Sequence, residues 1–192
     1  MANRARSTSA SERLVPRRRL APWAGEHWPG DEQIESDSGR PTVLFLCSHN
    51  SARSQMAEAL LKREAGGLLE VFSAGLEPRE VHPLAVRVMG EVGVDIGCQR
   101  SKSVREFLGW RRVHIAIFVC RVAEPMCPTV WPGAVTSLLW PFKDPAACEG
   151  SEEERLAAFR AVRDQIYRNV RNWLKEFKSR IGPIVPGSFG DD

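Results

Sequence analysis

Apolar and polar positions along the chain fall into blocks that read alternately as strands and helices. Val43-Leu-Phe-Leu46 is an unbroken apolar run, the pattern of a strand buried on both faces of a parallel sheet. From Arg53 the spacing becomes helical: Ala52, Met56, Ala59 and Leu60 recur at i, i+4, i+7 and i+8, which predicts a helix starting near Arg53 with one face on the sheet. Leu69 to Ser73 reads as a second strand, and Gly75 begins the turn out of it. Pro83 suits a first helical position, and Ala85, Val88, Met89 and Val92 keep the helical period until Gly93 ends it. A short helix around Ser103 to Leu108, a third strand over Val113 to Val119 and a fourth over Val135 to Leu139 follow. Ser151 and Glu154 form a capping box for a last helix, in which Phe159, Val162, Ile166, Val170, Trp173 and Phe177 keep the period. Gly182, Pro183 and Pro186 close the ordered part.

Strands alternating with helices predict an α/β fold, a three-layer αβα arrangement around a parallel sheet, with no internal repeat. The 192 residues suit one domain, taken as 41–178, with tails at 1–40 and 179–192. The first twenty residues carry six Arg and one Glu, the next twenty five acids and one Arg, and neither half has an apolar period. Residues 1–40 are therefore expected to be disordered or loosely docked. A net charge of +3 is too small to imply a nucleic-acid partner. No apolar run is long enough to span a membrane and no secretory leader is visible, so a cytoplasmic location is expected. Five cysteines, an odd number, favour redox or catalytic use over a secreted disulfide framework.

The densest chemistry sits between the first strand and the first helix. Cys47 ends the strand, and Cys-x5-Arg-Ser leaves a tight loop of five residues before Arg53 and Ser54. Such a loop makes a cradle for a tetrahedral oxyanion: the backbone N–H groups of Ser48, His49, Asn50, Ser51, Ala52 and Arg53 converge on it, and the Arg53 guanidinium clamps two oxygens. Asn50 fits a turn that needs positive φ. The same donors, with the Ser54 hydroxyl, favour a sulfur anion on Cys47, a nucleophile. Asp144, in Trp140-Pro-Phe-Lys-Asp-Pro145, follows the fourth strand and is either a proton donor or a turn residue. Cys120 ends the third strand, and Cys127 comes seven residues later. If that segment were helical, their Cα atoms would lie roughly 10 Å apart, beyond the roughly 7 Å reach of a disulfide, so bridging must deform it. The spacing alone leaves a redox pair, a structural metal site and two unconnected buried thiols open. Cys98 and Cys148 have no partner at a telling spacing and are expected to be structural. His27, His82 and His114 are expected to be packed or solvated.

Leu46-Cys-Ser-His-Asn-Ser-Ala-Arg-Ser-Gln-Met-Ala-Glu58 resembles the active-site loop of the low-molecular-weight tyrosine phosphatase superfamily, and more closely its thioredoxin-coupled arsenate reductase branch. The resemblance runs from about Pro41 to Phe177 and takes in Phe72-Ser-Ala-Gly75 and the Asp144-Pro145 loop. It implies a four-stranded sheet in order 2-1-3-4, Asp144 as general acid, and Cys120 and Cys127 as a disulfide relay. Some relatives carry an acidic potassium ligand where Ser103 stands, so no metal is expected although Asn50, Glu58 and Ser73 match the others; no cofactor is expected either.

Two activities from different classes follow from the resemblance. One is arsenate reduction, in which Cys47 attacks arsenate, the relay carries electrons outward, and thioredoxin is the partner. The other is phosphotyrosine hydrolysis through a phosphocysteine, with Cys47, Arg53 and Asp144 but no relay. Recognition of an aryl ring needs aromatic walls, and the single Tyr lies at 167 in the last helix, which leaves Trp131, Trp140 or Phe142 for that purpose. A non-catalytic oxyanion-binding module is the third possibility.

Overall fold

The structure, a computed structural model, describes residues 39–109, 112–120 and 131–181. Most of both expected tails, and the segment holding Cys127, lie outside the described residues. Four strands, β1 (Thr42–Cys47), β2 (Glu70–Gly75), β3 (Ile115–Phe118) and β4 (Thr136–Leu139), form one sheet in the order β2-β1-β3-β4. Every pairing is parallel, with Leu44 opposite Phe72 and Ala116. Helices α1 (Arg53–Ala65), α2 (Pro83–Gly90) and α3 (Glu152–Ile181) and two 3-10 turns, Val104–Glu106 and Pro145–Ala147, complete the described elements. The α/β class and the strand order implied by the resemblance are those observed.

β1 is central, so its alternate side chains enter two different cores. Val43, Phe45 and Cys47 join one cluster with Met56 and Leu60 of α1, Val88 and Met89 of α2, and Phe159, Ile166 and Trp173 of α3. Leu44 and Leu46 join Ala116 and Phe118 on the other face, under Phe107, Val113 and Trp131. The residues from Val43 to Leu46 are all at 0% exposure, which explains why the run shows no polar alternation. Burying one such side chain as large as Phe45 contributes about 1.5–3 kcal/mol.

The strands differ from the periodic reading by one or two residues at their ends, and two helical segments differ more. α2 ends at Gly90 rather than near Gly93, because the chain turns there: Gly93 N donates to Gly90 O and Val94 N to Met89 O, with Gly93 at φ 71°. Val92, expected on the buried face, is consequently exposed, and Val94 and Ile96 fill the core instead. The helix expected over Ser103 to Leu108 is a single 3-10 turn, held by a capping box between Ser103 and Glu106. The capping box expected at Ser151 is present, Ser151 N donating to Glu154 Oε2 at 2.8 Å and Glu154 N to Ser151 Oγ at 3.3 Å. α3 continues to Ile181, beyond residue 178.

The parallel arrangement brings the carboxyl ends of β1, β3 and β4 to one edge. Val119 N donates to Leu46 O and Trp140 N to Phe118 O, so Cys47, Cys120 and the Asp144 loop all leave the sheet there. Ligands bind at this edge in open α/β sheets.

Candidate active site

Cys47 is the last residue of β1, and the five residues after it fold back against the segment that follows β2. The carbonyl oxygens of that loop face outward. Ser48 O accepts from Glu77 N, His49 O from Arg79 N, and Ser51 O from His82 N, at 2.9–3.0 Å. Asn50 O accepts from Gln55 Nε2 at 2.9 Å and from Ser101 Oγ at 2.6 Å. In a planar trans peptide the N–H points opposite to the preceding C=O. Outward carbonyls at 48–51 therefore turn the N–H groups of His49, Asn50, Ser51 and Ala52 inward. Asn50 N indeed donates to Cys47 Sγ at 3.1 Å. Ala52, the residue before α1, makes no side-chain cap, so the first-turn amides of the helix receive no acceptor from it.

Two residues make this fold of the loop feasible. Asn50, at φ 48°, is the one non-glycine residue with positive φ among the described residues. Gly75 lies directly beneath the loop: a Cβ there would sit 2.6 Å from Asn50 N and 2.8 Å from His49 C.

The sulfur's environment is polar and ordered. Asn50 Oδ1 accepts from Lys102 N at 2.7 Å and Gln55 Nε2 at 3.0 Å, which fixes the orientation of the amide. Its Nδ2 then donates to Ser73 Oγ at 2.8 Å and Ser54 Oγ at 2.9 Å. Ser54 Oγ, which accepts from Asn50, lies within hydrogen-bond distance of Cys47 Sγ, 2.9 Å away. To a thiolate, which only accepts, Ser54 is the donor.

A cleft of about 330 Å³ opens above the sulfur, lined by Cys47, His49, Ser51, Ala52 and Arg53 from the loop, by Arg79 and His82, and by Asp144, Ala146 and Ala147. Arg53 is buried; its Nη1 donates to Phe142 O at 3.3 Å and its Nη2 lies 3.2 Å from Asp144 Oδ2. Asp144 caps the 3-10 turn Pro145–Ala147, its Oδ1 accepting from Ala146 N at 3.1 Å. A nucleophile, a guanidinium and a carboxyl group thus border one cleft, the set required to transfer a tetrahedral oxyanion onto sulfur.

Of the residues expected to hold the anion, Ser48, Asn50 and Ser54 have side chains buried beneath the cleft, with Asn50 N and Ser54 Oγ against the Cys47 sulfur. Arg79 and His82 do line it, and nothing in the local pattern of the sequence singled them out. His82 is the cap of α2, its Nδ1 accepting from Leu84 N at 3.1 Å and its ring 4.7 Å from that of Phe159. Burial and then Arg155 lower its pKa below the usual histidine value, with Asp144 opposing them, so the ring is neutral at pH 7. His114 is packed as expected, its Nδ1 accepting from Thr42 N.

Cys120 is fully buried, disulfide-bonded, and in the same core cluster as Cys47. Cys47, Cys98 and Cys148 are free, and Cys127 lies outside the described residues. Cys98 is exposed, which corrects the expectation of a structural thiol. Trp131, Trp140 and Phe142, the candidates for an aromatic wall, are instead buried in the cores, Trp140 between Phe45 and Trp173. Asn50, Glu58 and Ser73 do come together, but Lys62 Nζ at 2.5 Å and Lys102 Nζ at 3.2 Å flank the Glu58 carboxylate. No cluster of three or more His, Cys, Asp or Glu suited to a metal occurs among the described residues. None of the described helices is long and apolar enough to cross a membrane.

Comparison with known proteins places this geometry. The chain is 41% identical over 135 residues to an arsenate reductase of Bacillus subtilis, covering 70% of this chain and 93% of that protein. It is 37% identical over 139 residues to an arsenate reductase of Halalkalibacterium halodurans, covering 72% and 99%. Among solved structures, an arsenate reductase in the phosphate binding state superposes with a TM-score of 0.60 at 32% identity, covering 72% of this chain and 99% of that one. A thioredoxin-dependent arsenate reductase of Corynebacterium glutamicum superposes with a TM-score of 0.54 at 29% identity, covering 73% and 63%. Residues 42–181 match the sequence profile described as low molecular weight phosphotyrosine protein phosphatase, and with that match spanning the whole sheet, the loop and α3, the chain belongs to this family.

Proposed function

We propose that the protein is a cytoplasmic arsenate reductase of the thioredoxin-coupled type. The observation that carries this reading is the state of Cys120, disulfide-bonded and buried in the same cluster as the free Cys47. Cys127, seven residues later in the sequence, is the relay partner that the resemblance implies for it. Hydrolysis of a sulfur-bound oxyanion by water needs no second thiol, whereas a two-electron reduction does. The relatives named arsenate reductase support the same choice.

The Cys47 thiolate attacks the arsenic of arsenate, which the inward amides and Arg53 hold. Asp144 gives a proton to the departing oxygen, which leaves as water, and a sulfur–arsenic bond results. Cys120 next attacks the sulfur of Cys47. A Cys47–Cys120 disulfide forms, the electron pair of the broken sulfur–arsenic bond stays on arsenic, and arsenite departs. Cys127 then attacks Cys120, which releases Cys47 as a thiolate and leaves a Cys120–Cys127 disulfide for thioredoxin to reduce. The absence of Phe, Tyr and Trp among the described residues lining the cleft supports a small inorganic oxyanion over an aryl phosphate as substrate.

Arsenate-dependent oxidation of NADPH in the presence of thioredoxin and thioredoxin reductase, compared with aryl phosphate hydrolysis by the same sample, tests the reading. Reduction exceeding hydrolysis supports it. Hydrolysis without reduction would assign the protein to the phosphatases of its family.

A further inference from the structure

The Glu58 carboxylate, 3% exposed, lies on the far side of the loop from the cleft and touches no substrate position. It is nevertheless joined to the nucleophile by an unbroken chain of hydrogen bonds. Ser73 Oγ donates to Glu58 Oε2 at 2.5 Å, Asn50 Nδ2 donates to Ser73 Oγ and to Ser54 Oγ, and Ser54 stands against Cys47 Sγ. The direction of each bond is determined at its ends. A carboxylate only accepts, so Ser73 donates to it; Asn50 Nδ2 only donates, to Ser73 and to Ser54; and when Cys47 is the attacking thiolate its sulfur only accepts, so Ser54 donates to it.

Lys102 controls this chain at two points. Its backbone N–H donates to Asn50 Oδ1 at 2.7 Å, which prevents the amide from flipping. Its ammonium, 12% exposed, donates to Glu58 Oε2 at 3.2 Å and to Arg100 O at 3.2 Å. The other cation on Glu58, Lys62, is an i,i+4 neighbour on α1 and 50% exposed, so water screens it. We propose that Lys102 is a positioning residue for the nucleophile: its ammonium anchors the Glu58 carboxylate and its backbone N–H the Asn50 amide, and through Ser73 and Asn50 these two anchors hold Ser54 against Cys47. The proposal rests on Cys47 being the attacking group of the function proposed above, but not on the identity of the oxyanion.

The test uses the full chain, with thioredoxin-reduced protein, and reads the rate of Cys47 alkylation by iodoacetamide at pH 7, measured by mass spectrometry of the Cys47 peptide. This readout is independent of arsenate turnover, so failure of the functional reading and failure of the proposal are distinguishable. Lys102→Ala, which retains the backbone donor, is expected to slow alkylation about tenfold, the scale of one hydrogen bond to a charged group. Ethylammonium at tens of millimolar, which fits the space vacated by the side chain, is expected to restore most of the rate. Ser54→Ala should slow alkylation to a similar degree with no rescue by the amine. Lys62→Ala should change it less than about twofold, as expected for an exposed pair. An unchanged rate in Lys102→Ala, a loss that ethylammonium does not restore, or an equal loss in Lys62→Ala would each overturn the proposal. Circular dichroism on every variant separates misfolding from mispositioning, since a misfolded Lys102→Ala is not rescued by an amine.

Discussion

Arg53 and Asp144 face one another across the mouth of the cleft, Nη2 to Oδ2 at 3.2 Å, with the guanidinium side chain 4% and the carboxylate side chain 34% exposed. The two groups come from different strands of the sheet, Arg53 from the start of α1 after the central β1 and Asp144 from the loop after the edge strand β4. Their contact places the carboxyl group proposed as proton donor beside the guanidinium proposed to hold the oxyanion. Asp144→Asn retains an oxygen to accept from Ala146 N but has no acidic proton to deliver. Its kcat for arsenate is expected to fall about 100-fold, the lower end of what general acids contribute, with KM changed far less. Steady-state kinetics on the coupled thioredoxin assay checks this, and a proportionate rise in KM with kcat intact would instead make Asp144 a binding residue.

Gly75 is the floor of the loop. A methyl group there meets the backbone of Asn50 and His49 at 2.6 and 2.8 Å, atoms that cannot swing aside as a flexible side chain would. Gly75→Ala is therefore expected to push the loop out of register with the sulfur and to cost about 1–3 kcal/mol of stability. Urea unfolding measures the second effect, and loss of competitive inhibition by inorganic phosphate measures the first.

His114 adds a dependence on pH that is unconnected with catalysis. Burial, and secondarily Arg112, push its pKa below the 6.5 of the exposed ring, against a weaker opposing pull from Glu70. The unfolded chain therefore takes up a proton at this residue as pH falls through about 6.5, while the folded one resists. Stability is complete above that pH and declines with acidification toward the folded-state value. His82, lowered for the same first cause, acts in the same direction. Urea unfolding between about pH 5.5 and 7.5 should show the decline. His114→Phe should reduce its slope, at a cost of about 1–3 kcal/mol at neutral pH because Thr42 N loses its acceptor.

The parts of the fold visible in the sequence are those set by short-range pattern. Val43 to Leu46 reads as a buried strand because both its faces meet apolar neighbours, and Asn50 reads as a positive-φ residue because few other side chains tolerate that conformation. The end of α2 does not follow from the period, because the helical spacing of Val92 says nothing about the turn at Gly90 to Gly93 that swings it to the surface. Trp140 and Phe142 were candidate walls of the cleft only because a sequence cannot tell which way a loop aromatic turns; the packing of Trp140 on Trp173, 33 residues later in the chain, decides it. Arg79 and His82 reach the cleft through backbone bonds to His49 and Ser51, contacts between segments about thirty residues apart that leave no local trace. The pairing of Lys102 with Glu58, 44 residues apart, was hidden for the same reason.

Arsenate reduction by the proposed route requires electrons to leave through Cys120. Replacing it, Cys120→Ser, and assaying the same preparation for thioredoxin-coupled arsenate turnover and for aryl phosphate hydrolysis tests this most directly. The prediction is that repeated arsenate reduction stops while whatever hydrolysis the wild-type protein catalyses persists, since Cys47, Arg53 and Asp144 remain in place. Continued multiple turnovers of arsenate by the variant would contradict it.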